Sequence, residues 1–195
     1  MAWTGATADC PCTWEAVFGG VSCDPQTPGV NRTLAILCFD NAESWTETAA
    51  DDATPDATNI ITDLTLASGK QAWTMTNLLN TVAVQSGETV NDNGGVDINE
   101  TVDGKGTITT QELNYVKQYL GKEVAVFFED NDDRIWCIGW DGGCTLKSWL
   151  AVWGATTGDE KSVSYQFANT TGGTVKEVQY TGTNEEFFTF LTTAV

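Results

Sequence analysis

The chain contains no histidine, and that absence removes several kinds of chemistry. Neither a Ser-His-Asp nor a Cys-His nucleophile can be built, and no metal centre can draw on an imidazole ligand. Basic residues are scarce: 9 Lys and Arg stand against 27 Asp and Glu, for a formal net charge of −18 and a pI near 4.1. Such a surface repels a phosphate backbone, so nucleic-acid binding through counterion release is not expected. A repulsive wall would instead suit a conduit through which DNA passes without sticking. There is no Gly-x-x-x-x-Gly-Lys-Ser/Thr loop and no Gly-x-Gly-x-x-Gly fingerprint. The 27 carboxylates leave room for an acid pair of the glycosidase kind, although chance alone would bring some of them together. No stretch approaches the ~18 apolar residues of a membrane helix. The start, Met1-Ala2-Trp3-Thr4, lacks the basic and apolar regions of a signal peptide. The expectation is a soluble chain made in a cytoplasm, without a cofactor, a membrane partner or enzymatic activity.

Glycine and threonine are abundant and turn signals recur about every ten residues, which points to a mainly β or α+β fold. The 195 residues fit a single domain, 1–195. Residues 1–31 read as an irregular N-terminal arm. Trp3, Trp14 and Phe18 would be costly to leave in water there, which favours docking on a neighbouring subunit. Cys10, Cys12 and Cys23 hint at zinc, but no Cys-x-x-Cys pair supports it. Cys38 and Cys137 sit in apolar runs as core residues, and a Cys137–Cys144 bond across a hairpin is left open.

Thr33–Phe39 is a continuous apolar run and reads as a buried strand, whereas 41–58 reads as loop. Asn59–Leu66 and Gln71–Leu79 flank the Ala67–Lys70 turn and are expected to form a hairpin, which Val82 and Val84 would extend. Residues 86–106 show no packing pattern and read as a long loop or inserted arm. Val90, Val96, Ile98 and Val102 are its candidate subunit contacts, and removing 88–104 should leave a folded subunit that polymerises poorly. Thr109–Glu112 resembles a capping box opening a short helix over about 109–120. Gly106, Ile108 and Glu112 also fit a calcium loop, but Thr101 and Lys105 fall where oxygen ligands belong. Strands follow at Glu123–Glu129, Arg134–Trp140, Thr145–Trp153, Ser162–Phe167 and Thr174–Tyr180, the first three as a meander. Asn184–Leu191 is either a capped helical turn or a last strand. Four of the eight Trp lie between Trp136 and Trp153 and read as core or interface, or as a sugar-binding platform.

The order of helix, Leu120-Gly121-Lys122, apolar strand, acidic turn, Arg134-Ile135-Trp136, Gly139, Gly142-Gly143, Gly158-Asp159 and Val163–Phe167 resembles tail tube proteins of long-tailed bacteriophages. The resemblance covers about the last ninety residues. It implies an antiparallel β-sandwich or barrel with a flanking helix. It further implies a virion structural protein that self-assembles into rings, often hexameric, stacked as a DNA conduit against other virion proteins. Another ring, connector, terminator or decorating protein, or a glycan-binding module, is the alternative.

Overall fold

The computed structural model describes residues 29–49, 59–90, 92–93, 96–154, 161–169 and 175–193, without the side chains of 49, 59, 88, 89 and 96–98. The fold is mainly β and sandwich-like. Its centre is a pair of antiparallel strands, β1 (Val30–Cys38) and β7 (Glu123–Asp130), in register from Leu34↔Phe128 to Cys38↔Val124. Both strands are buried on both faces, which is why each reads as an unbroken apolar run. Leu34, Ile36, Val124, Val126 and Phe128 face a first core, while Ala35, Leu37, Ala125 and Phe127 face a second.

Either side of this wall the chain lays down further strands. β2 (Ala42–Ala49), β3 (Asn59–Leu66), β11 (Lys176–Val178) and β8 (Ile135–Ile138) run in that order up to one edge of β7. β9 (Cys144–Val152), β10 (Ser162–Asn169), β6 (Val96–Gly106) and β5 (Ala83–Val90) continue the sheet from the same edge of β7, nearer its start. β4 (Trp73–Thr76) pairs with β1. All pairings are antiparallel except the single β3–β11 step at Ile61↔Val178. Helix α1 (Thr110–Tyr119) sets Val116 and Tyr119 into the first core, and helix α2 (Asn184–Thr192) sets Phe187 and Leu191 into the second. Both helices open on a capping box, Thr109 with Glu112 and Thr183 with Glu186, each satisfying two end-turn N–H groups.

Four sequence expectations are corrected here, and one open question, the Cys137–Cys144 bond, is answered. Residues 42–49 are a strand rather than loop, because β2 pairs with β3 on one side only and its exposed positions carry no period-2 signal. The Ala67–Lys70 turn forms, but β3 and β4 are not hairpin partners: Ile61 and Leu66 serve the second core while Trp73 and Met75 serve the first. β8 and β9 are not successive strands of a meander. β8 pairs with β7 at 126–129 and β9 pairs with the same edge at 123–124, so the Gly139–Gly143 bend lets one edge change partner. Cys137 faces the second core and Cys144 the first, and both are free thiols, so no bond joins them. Finally, 86–106 is not a loop. It is most of a β-hairpin, β5 paired with β6 from Ala83↔Asp103 to Val90↔Val96. The 184–191 alternative resolves as helix.

Candidate functional site

The β5–β6 hairpin is where regular structure leaves the body. Among the described residues β10 accompanies β6 from Gly106 to Glu100. From Gly87↔Asn99 to Val90↔Val96 the hairpin's only pairing among the described residues is internal. Four residues per strand at 3.3 Å each give a projection of about 13 Å. Within the described residues β5 pairs with β6 alone, so its outer edge is free along eight residues. That strand, Ala-Val-Gln-Ser-Gly-Glu-Thr-Val, contains no Pro and no Lys, the usual devices that blunt a sheet edge.

The candidate contact residues fall in different places. Val90 is 74 % exposed near the hairpin tip. Val96 and Ile98 belong to the distal ladder through their backbones, opposite Val90 and Glu88. Val102 is fully buried in the first core, so its apolar surface is already spent within the chain. Trp3, Trp14 and Phe18, with the N-terminal cysteines, lie outside the described residues. Sequence reasoning missed the exposed run at the end of β9, where Leu150, Val152 and Trp153 present apolar surface. Leu150 and Val152 alternate with inward residues, but a β-bulge against β10 between Gln166 and Phe167 shifts the parity and hides the pattern.

The base of the hairpin is polar and buried. Glu100, with no exposed surface, accepts through Oε2 from the Gly139 N–H at 3.3 Å and from Asn169 Nδ2 at 3.1 Å. Its Oε1 meets no donor. Burial pushes its carboxyl above the usual range, although hydrogen bonds from Asn169, the Gly139 N–H and Ser86 oppose the shift. A second network lies along the same bend. Lys176 Nζ donates to Glu47 Oε2 and to Asp141 Oδ1, each at 2.7 Å, and Trp140 Nε1 donates to Glu47 Oε1 at 3.1 Å. Burial alone would lower the Lys176 pKa, but the two carboxylates outweigh it and hold it above the ordinary value. These carboxylates converge on an ammonium that ties β2, β11 and the β8–β9 bend together. Lys176→Met would leave both acids facing each other without a cation. We expect a loss of about 2 kcal/mol in urea denaturation, below the usual cost of breaking a buried pair because Asp141 is partly solvated. Because the Lys176 value is raised on folding, its contribution is complete below the ordinary lysine pKa and drains away as pH rises through the raised one.

The four tryptophans do not make one platform. Trp136 and Trp149 pack on the first core, Trp140 lies in the second, and Trp153 is exposed. The Trp136 indole also donates to Asp130 Oδ2 at 2.6 Å, while Asp130 Oδ1 accepts from the N–H groups of Asp132 and Arg134, so this acidic turn is closed by its own first residue. In the calcium-like stretch, Glu112 accepts from the Thr109 N–H as a helix cap, and 101–106 is strand. A cleft of about 440 Å³ beside α1 is lined by Trp73, Tyr115, Tyr119, Cys38 and Lys122, with Trp73 stacked on both tyrosines. Burial raises both the Cys38 thiol and the Tyr119 phenol, which keeps the thiol protonated and weakly nucleophilic at neutral pH. Comparison of the chain with protein-family models, curated proteins and solved structures returns no match.

Proposed function

We propose that the protein is a self-assembling structural subunit of a virus particle, a tail tube protein whose stacked rings form a DNA conduit in a long-tailed bacteriophage. The projecting hairpin, whose eight-residue outer edge is unpaired among the described residues, carries this reading. An unblunted edge offers a row of backbone donors and acceptors to a strand of a neighbouring copy, the geometry of β-augmentation. Head-to-tail contacts of this kind close into rings when the rotation allows. Val90 near the tip and the Leu150–Trp153 run supply exposed apolar surface for such contacts, and aromatic residues of the arm, Trp3, Trp14 and Phe18, would anchor on a neighbour. The net charge of −18 suits a bore from which DNA is repelled. On this reading the chain is made in the host cytoplasm, ends in the virion beside other virion proteins, and needs no cofactor. The test is negative-stain microscopy with sedimentation of the purified protein. Rings or stacked tubes are the expected result, and dispersed monomers at high concentration would overturn the reading.

A further inference from the structure

Glu100 is the residue at which the hairpin parts from the body. Among the described residues it is the last position of β6 that β10 accompanies, opposite Asn169, and it faces Ser86 of β5 in the hairpin ladder. Its side chain also reaches the Gly139 N–H, in the bend where the edge of β7 passes from β8 to β9. One carboxyl group therefore gathers β5, β6, β10 and the β8–β9 bend. Gly139 is fixed in that position: its φ is +76°, and a Cβ there would fall 2.6 Å from the Cys144 nitrogen and 3.0 Å from the Val124 carbonyl oxygen.

We infer that Glu100 is a proton-dependent latch that holds the base of the β5–β6 hairpin against β10 and the Gly139 bend. In the protonated state the buried group is neutral, its carbonyl oxygen takes the two donors, and the hydroxyl on Oε1 turns to Ser86 across the ladder. Ionisation releases that proton to solvent and leaves a charge with no surface exposure, a state relieved by opening the hairpin base to water. Burial outweighs the hydrogen bonds from Asn169, Gly139 and Ser86 that favour the charge. Asp141 within the bend carries the same sign, and Cys144 of β9 and Cys137 of β8 feel the Glu100 charge as a further penalty on their own ionisation. β5 and β10 present the neutral Ser86 and Asn169. Because folding favours the neutral acid, the latch is fully closed below the ordinary carboxyl range and loosens as pH rises through the raised folded value. The device belongs to the fold and stands whether or not the hairpin joins a neighbour.

Hydrogen exchange of residues 83–90 and 96–106, corrected for intrinsic rates, tests this across pH 4 to 9. In the wild-type chain the opening constant should rise by up to about tenfold per pH unit within the window, while E100Q should show a flat profile. Identical profiles in the two proteins would overturn the latch. Should E100Q fail to fold, the carboxyl carbon of Glu100 in the wild-type chain, followed by NMR, decides the matter. A midpoint above the ordinary glutamate range, moving together with the hairpin amides, supports the latch, and a midpoint at or below that range rejects it.

Discussion

Gly104→Ala should destabilise the fold by about 3 kcal/mol, lowering Tm by about 6–12 °C for a chain of this size. Gly104 lies in β6 where Tyr165 of β10 crosses over it, its Cα partner in the register. An ideal Cβ would stand 2.0 Å from Tyr165 Oη and 2.8 Å from Asn77 Oδ1. The phenol has no easy retreat, being 3 % exposed, packed edge-on to Phe167 and donating to Asn77 Oδ1 at 2.6 Å. Asn77 is held in turn by the carbonyls of Arg32 and Met75, so relief of the clash would cost a buried hydrogen bond as well as repacking. The matched control is Gly87→Ala in the partner strand, where nothing lies within 4 Å of the added carbon. It should change stability by less than about 0.5 kcal/mol. Equal effects of the two substitutions in thermal or urea unfolding would mean that the packing of Tyr165 on the strand is not what requires glycine.

How much of this was legible in the sequence depends on what each pattern reports. The wall of β1 and β7 was readable because burial on both faces writes itself as an unbroken apolar run, and the Thr109 cap because its partner Glu112 lies three residues away. Partnership between strands was not readable. Ile61 and Trp73 sit in runs of similar appearance, yet they serve different cores, and nothing local says which. The hairpin was misread for a related reason. Its distal half pairs only with itself among the described residues and carries no period-2 pattern, while its proximal half hides Glu100, Val102 and Gly104, only one of which looks like a core residue. A buried, half-partnered glutamate leaves no signature at all among 27 acidic residues.

Shortening the hairpin at its tip should abolish self-assembly while leaving the fold intact. The cut must follow the register. Removal of 88–104 takes out Glu100, Val102 and Gly104, all of them inside the body, and should unfold the subunit rather than report on assembly. Gly87 and Asn99 face each other across the ladder, so replacing 88–98 by Asn-Gly closes them with a two-residue turn and keeps every position that β10 accompanies. Tm should move by no more than a few degrees, since among the described residues the deleted strand positions pair only with each other. Assembly should suffer far more. Three or four lost intersubunit backbone hydrogen bonds, at about 1 kcal/mol each, correspond to roughly a hundred- to thousandfold weaker association. Sedimentation and microscopy should then find monomers where the parent chain forms rings. Assemblies of normal size from the shortened chain would show that the free β5 edge is not the joint, and would move the search to the apolar run at Leu150, Val152 and Trp153.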